Sequence, residues 1–276
     1  MEIQNKFCEG SLDYRQKGHI DSRMEELAAL YDVSEFCKDN NEKMEYSSQA
    51  LYGQEIKKGV LLADWLFEWD SGSETMEMKQ FFWRMVEQMW RESLDREDAE
   101  VISCSLGEQE GFAHDLKSYI KARRKILEGM TEPREYARMM PSCFGNSVFA
   151  EGIEEEMQNI EDFALHTKEL TLNLSVLNDE ALEIYGRCHK DGNLAMKELD
   201  SRLLACSPDY KHQSQLRFEF SYIDEEGDTH IKKVTCHPHL KLVKKNSDYR
   251  IYFAWRDDLV GDGKKVLVGR IGRHGW

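Results

Sequence analysis

The spacing of apolar residues changes near residue 212 from a helical period to a strand period, and no single regular element satisfies both. Upstream, Phe82, Met85, Val86, Met89 and Trp90 recur at i, i+3, i+4, i+7 and i+8, the stripe of a helix facing a core. Asp21 is placed to cap a helix through Met24, Leu27, Ala28, Leu30 and Tyr31, with Glu25 and Glu26 in its favourable first turn. Leu116, Tyr119, Ile120, Ile126 and Leu127 mark another helix, and more are expected over 151–167, 178–189 and 192–206. Downstream, Leu216, Phe218, Phe220 and Tyr222 alternate with Arg217, Glu219 and Ser221. A polar turn at 224–228 leads to a second strand over 231–242, and further strands follow at 249–255 and 266–271. The expected fold is α+β by segregation: an acidic helical region over 1–206, a linker over 207–214 and an antiparallel sheet over 215–276.

Charge divides the chain at the same place. Residues 1–212 hold 25 Lys and Arg against 43 Asp and Glu, a formal charge of −18. Residues 213–276 hold 12 against 9, or +3, with four of the nine histidines. The overall charge of −15 argues against indiscriminate coating of DNA, so any nucleic-acid contact is expected to be local to the basic end. A dense basic group, Lys117, Lys121, Arg123, Arg124 and Lys125, also stands within the acidic region, where it suits RNA, an acidic partner helix or plain solvent.

The longest nearly apolar run, residues 60–67, is far too short to span a bilayer, and the first residues lack the cationic start and apolar stretch of a signal peptide. Seven cysteines without CxxC spacing read as reduced thiols, which makes the cytoplasm the expected compartment, with no membrane partner. No Walker A loop, GxGxxG after a strand, GxSxG or HExxH occurs, so nucleotide hydrolysis and α/β-hydrolase chemistry have no support. Cys236, His237 and His239, with His230 nearby, lack a second ligand pair at finger spacing; no metal and no cofactor are expected.

Strand parity sharpens the reading of the basic end. With Leu216, Phe218, Phe220, Val234, Cys236, Ile251, Phe253, Trp255, Leu267 and Ile271 turned to a core, one opposite face collects Arg217, Glu219, Lys233, His237, Arg250, Tyr252, Arg270 and His274. An ordinary solvated sheet face also carries such residues. As chemistry, arginines hold phosphate oxygens in bidentate fashion, a histidine moves protons near neutrality, and Glu219 would complete an acid–base pair for attack by a ribose 2′-hydroxyl. Tyr252 and Trp276 would stack on bases. The candidate catalytic residues are therefore Arg250, Arg270, His274 and Glu219. The candidate nucleic-acid contacts are Arg217, Lys233, His237, Lys241, Tyr252, Arg256, Arg273 and Trp276.

The segments His237-Pro238-His239-Leu240-Lys241, Tyr249-Arg250-Ile251-Tyr252-Phe253 and Val268-Gly269-Arg270-Ile271-Gly272-Arg273-His274 resemble the C-terminal half of RelE/YoeB-type toxins, ribosome-associated mRNA endonucleases. The resemblance covers about forty residues. It implies metal-independent RNA cleavage by a bacterial protein in growth control or phage defence, with RNA or the ribosome bound by the sheet. It also implies that Arg250 stabilises the phosphate, that His274 is the general acid and that Trp276 lies near the family's terminal aromatic. The chain departs from that family in having only a hairpin loop between its first two C-terminal strands and in carrying a long acidic extension. The competing expectation is a non-enzymatic scaffold subunit, its helical region binding a protein and its sheet only anchoring nucleic acid or another chain.

Overall fold

A computed structural model describes residues 2–68, 73–91, 96–97, 99–202, 205–242 and 248–274. The chain forms two compact units, Met1–Arg123 and Arg124–Trp276. Both mix helix and strand.

The first unit contains β1 (Glu2–Phe7), α1 (Tyr14–Lys17), α2 (Met24–Asp39), β2 (Met44–Glu45), α3 (Ser48–Tyr52), β3 (Glu55–Lys57), β4 (Val60–Leu61), α4 (Leu62–Phe67), α5 (Ser73–Gln88), β5 (Ala99–Cys104) and most of α6 (Leu116–Leu127). The expected helical stripes are present: α2 buries Leu27, Leu30 and Val33, and Phe82, Met85 and Val86 of α5 are buried. Asp21 is not the cap of α2; it lies in a 3-10 turn over Ile20–Ser22, and Arg23 holds the cap position.

The region is not all-helical, because β1 pairs in parallel with β2 on one side and β5 on the other. Parallel strands buried on both faces do not alternate. In β1 the hidden residues include Gln4 and Asn5, which gain partners only from the tertiary fold. Gln4 Nε2 donates to Glu45 Oε2 at 2.6 Å, and Asn5 Oδ1 accepts from the Tyr119 hydroxyl at 2.7 Å. Asn5 Nδ2 donates to Glu42, which also takes both its oxygens to Arg123 Nη1 at 2.7 and 2.9 Å. The basic group on α6 is thereby divided: Arg123 is buried against Glu42, Arg124 is bonded to Asp179, and Lys117 and Lys121 remain exposed.

The second unit contains α7 (Pro133–Cys143), β6 (Ser147–Phe149), α8 (Ile153–Met157), α9 (Thr167–Arg187), α10 (Gly192–Asp200), β7 (Cys206–Pro208), β8 (Arg217–Ile223), β9 (Thr229–Thr235), β10 (Pro238–Lys241), β11 (Tyr249–Ala254) and β12 (Val266–Arg273). A five-stranded sheet runs in the order β6-β12-β11-β10-β7, antiparallel except for the β12–β6 pair. The boundary expected over 207–214 falls inside this unit, since Cys206–Pro208 hydrogen-bonds to β10 as an edge strand.

The single four-stranded sheet expected at the basic end is two sheets. Pro238 divides the segment 231–242, so its first half pairs with β8 as a hairpin and its second half joins β11. Proline cannot continue a ladder through its nitrogen, and the chain uses that break to change sheets. The apolar side of the hairpin then covers the main sheet. Leu216, Phe220 and Cys236 are buried with Tyr252, Ala254, Val260 and Leu267, and Phe218, Tyr222 and Val234 pack at the margin. Lys232 Nζ ties the hairpin to Asp257 at 2.9 Å, and Ser221 ties it to Glu151 at 2.6 Å.

Gly269 makes this contact possible. Tyr252 pairs with Arg270 while Phe253 pairs with Val268, so Gly269 is the extra residue of a β-bulge. A Cβ there would lie 2.3 Å from Phe218 Cδ2 and 2.9 Å from Cys236 Sγ. On the opposite face of β11, Trp255 stacks on Tyr185 of α9, with ring centroids 5.1 Å apart. The sheet is thus covered on both sides, and the solvated face expected for Tyr252 does not exist.

Candidate functional site

Register brings a histidine cluster to the end of the main sheet where β11 begins and β12 finishes. His239 lies opposite both Tyr252 and Ser207, Lys241 lies opposite Arg250, and Tyr249 lies opposite Arg273, one residue before His274. The His274 ring stacks on Tyr252 with centroids 6.3 Å apart, and Nδ1 is 2.5 Å from the Tyr252 hydroxyl. On its other side, Tyr252 meets His239 at 5.1 Å, and His239 Nε2 is 3.0 Å from the Ser207 hydroxyl.

The turn after β7 adds a third imidazole. His212 sits edge-on to His274, with centroids 6.4 Å apart and planes at 74°. Its Nδ1 is 3.3 Å from Asp209 Oδ1, and the same carboxylate accepts from the backbone N–H groups of Lys211 and His212. Tyr210 meets the ring of His237 at 5.5 Å. Arg250, partly buried beside this group, donates through Nη1 to the Tyr249 carbonyl at 2.8 Å.

Burial and the Arg250 charge set the titration of the cluster. Burial pushes His239 down to about 4, and Arg250 adds to the effect. His239 Nδ1 is buried with no hydrogen-bond partner among the described residues, which suits a neutral ring. His274 is also lowered, by burial first and then by Arg250, against an opposing pull from Asp209 and Asp248. Burial lowers His237. Asp209 stays below the ordinary carboxylate range: burial acts to raise it, but the hydrogen bonds from His212 and the turn outweigh that.

Of the expected site residues, the fold brings Arg250, Tyr252 and His274 together, with Lys241 and His237 at the margin, while Arg273, opposite Tyr249, belongs to the other face of the sheet. Tyr252 has no exposed surface, so it cannot stack on a base; the hairpin covers it, and it holds His274 instead. Glu219 is on the outward side of the hairpin, paired with Lys233 at 3.0 Å, with Arg217 exposed on the same side. It is therefore separated from His274 by the hairpin's own apolar layer. Arg270 is engaged by Glu156 of α8 through contacts of 2.8 and 2.9 Å, which commits its guanidinium. Arg256 lies past the far end of β11, paired with Asp258 and six residues from Arg250, roughly 20 Å along the strand. Trp276 lies outside the described residues.

Asp209 and His212 escaped the sequence reading, and His239 entered it only as a metal-ligand candidate that was set aside. The first two sit in a stretch rich in turn residues, and His239 follows the proline that obscured strand parity. The alternate spacing of His237 and His239 was the only local signal.

No cluster of three His, Cys, Asp or Glu suited to a metal occurs among the described residues, and none of their helices is long and apolar enough to cross a membrane. Comparison with protein-family models, with curated proteins and with solved structures yields no match.

Proposed function

We propose that the chain is a metal-independent endoribonuclease whose site is the Arg250–His274 cluster. The observation that carries this reading is a histidine fixed through Nδ1 on a buried tyrosine, with an arginine alongside and a second imidazole facing it. Arg250 would bind the scissile phosphate and neutralise charge developing on it, and His274 would move a proton. RNA suits such a set, because its own 2′-hydroxyl can act as the nucleophile.

Lys241, opposite Arg250, would extend the electrostatic contact with the RNA at this end. Glu219, Arg270 and Arg256 have no part in the reaction on this reading. A ribosomal target and a role in toxin or phage-defence systems rest on the RelE/YoeB resemblance of Arg250 and His274.

The test is RNA integrity, with naked RNA in the presence of EDTA and, without EDTA, in a bacterial translation extract, using wild type, Arg250→Ala and His274→Ala. Cleavage by the wild type that falls about 10²–10⁴-fold in both variants is the expected result. Intact RNA under both conditions would overturn the reading.

A scaffold role is the second reading. It is favoured by Ile223 and Ile231, adjacent on the outward side of the hairpin and 68% and 63% exposed, which would seat a protein partner. Loss of partner capture in Ile223→Ser/Ile231→Ser, with RNA left intact by the wild type, would favour it.

A further inference from the structure

We propose that the Asp209–His212 pair is the general acid of this site and that His274 is its general base, acting on RNA with a free 2′-hydroxyl. The inference rests on the endoribonuclease reading above, and it reverses the role that the RelE/YoeB resemblance implies for His274.

Geometry supplies the first argument. In-line displacement at phosphorus puts the attacking and leaving oxygens on opposite sides of the centre, so two proton-transfer groups must stand several ångströms apart. The edge-on rings of His212 and His274, 6.4 Å between centroids, meet that requirement. Each ring is also oriented through Nδ1, His212 by the Asp209 carboxylate at 3.3 Å and His274 by the Tyr252 hydroxyl at 2.5 Å. Nε2 is then the reacting nitrogen in both. Asp209 is itself held by two backbone N–H groups, and its side chain is only 10% exposed. This is the arrangement of a carboxylate that positions an imidazole.

Charge decides which ring does what. His274 is faced by Arg250 and His212 as cations, by Asp209 and Asp248 as anions, and by neutral Tyr252; His239 lies just beyond. Burial and Arg250 dominate, so the neutral ring is favoured, ready to accept a proton. His212 is faced by the Asp209 carboxylate in direct contact and by His274. The Asp209 carboxylate is thus placed to hold His212 and to balance the charge of its ring when it carries the proton to be transferred.

The step balances. His274 Nε2 takes the proton of the 2′-hydroxyl as the O2′–P bond forms and the P–O5′ bond breaks, and His212 Nε2 delivers its proton to O5′. The products are a 2′,3′-cyclic phosphate and a 5′-hydroxyl end. Proton exchange with water restores both rings, and no oxidant or metal is consumed.

A substrate whose 5′-bridging oxygen is replaced by sulfur separates acid from base, because the thiolate leaves without a proton. The full-length chain is compared on the ordinary and the sulfur-bridged oligoribonucleotide as wild type, His212→Ala, His212→Gln, His274→Gln and Asp209→Asn, each with a thermal melt to establish folding. His212→Ala and His212→Gln should lose about 10²–10⁴-fold on the ordinary linkage and recover to within about tenfold of wild type on the sulfur-bridged one. His274→Gln should be slow on both. Asp209→Asn should lose about tenfold on the ordinary linkage only. Rescue of His274→Gln instead, or full activity of folded His212 variants, would overturn the assignment while leaving the nuclease reading standing. Failure of the wild type to cleave either substrate, naked or bound to ribosomes, would overturn both.

Discussion

Replacing Gly269 by alanine tests whether the hairpin really lies on the bulge of β12. The added Cβ would stand 2.3 Å from Phe218 Cδ2, 2.8 Å from its Cγ and 2.9 Å from Cys236 Sγ. Comfortable carbon contacts lie near 3.5–4.0 Å, so the ring must retreat by more than about 1 Å. Its φ is not in the left-handed region, so the cost is one of packing and not of backbone strain. Overpacking of this kind costs about 1–3 kcal/mol, and two neighbours closed in together place Gly269→Ala in the upper part of that range. For a unit of this size each kcal/mol lowers Tm by about 2–4 °C, which gives a fall of about 4–12 °C. A double-mutant cycle isolates the contact. Phe218→Ala removes the obstructing ring and costs about 2 kcal/mol itself, since Phe218 is only partly buried. In that background Gly269→Ala should cost less than about 1 kcal/mol, the remainder owed to Cys236. Thermal melts followed by near-ultraviolet circular dichroism read all four corners. Equal costs in the two backgrounds would refute the packing argument, as would a Gly269→Ala protein as stable as wild type.

The other expectations concern buried charge. His239 resists protonation in the folded chain down to about pH 4, whereas the unfolded chain accepts that proton near its ordinary value of 6.5. The unfolded state therefore binds more protons between pH 6.5 and 4, so stability falls as pH drops through that window, by up to about 3 kcal/mol. His239→Gln should flatten that slope in acid titrations monitored by denaturant unfolding; an unchanged slope would refute the assignment. In the first unit, Arg123→Met leaves Glu42 and the Tyr119–Asn5 network without their cation. Breaking a buried pair costs about 3–5 kcal/mol, and the partial exposure of Glu42 puts this loss near the lower end. Adding Glu42→Gln should recover part of it in chemical denaturation, and a single variant within about 0.5 kcal/mol of wild type would contradict the network's role.

The main helices were legible because a 3.6-residue apolar stripe needs only one face to bury: α2, α5 and α6 carry that stripe in their own residues. The inward parity of β8 was legible for the same reason, since Leu216, Phe218, Phe220 and Tyr222 alternate with polar neighbours over a hairpin that has one wet side. β1 was not, because both of its faces are buried and its polar residues are satisfied by Glu45, Tyr119 and Glu42, distant in sequence. Alternation in β11 was visible, but its meaning was not: Tyr252 looked outward-facing until the hairpin folded over it.

The candidate site divides along the same line. That Arg250 and His274 fall on one side of the sheet was readable from strand parity. Their separation from Glu219 and Arg270 was not, because a pattern of period 2 assigns a side of a strand without saying which sheet the strand joins or what covers that side. The break at Pro238 sends β9 and β10 to different sheets, and α8 brings Glu156 to Arg270. Edge pairing of β7 with β10 carries Asp209 and His212 to His274. Local periodicity is a property of neighbouring residues and can be read along the chain. The company a side chain keeps depends on contacts between segments tens of residues apart, and only the folded chain settles those.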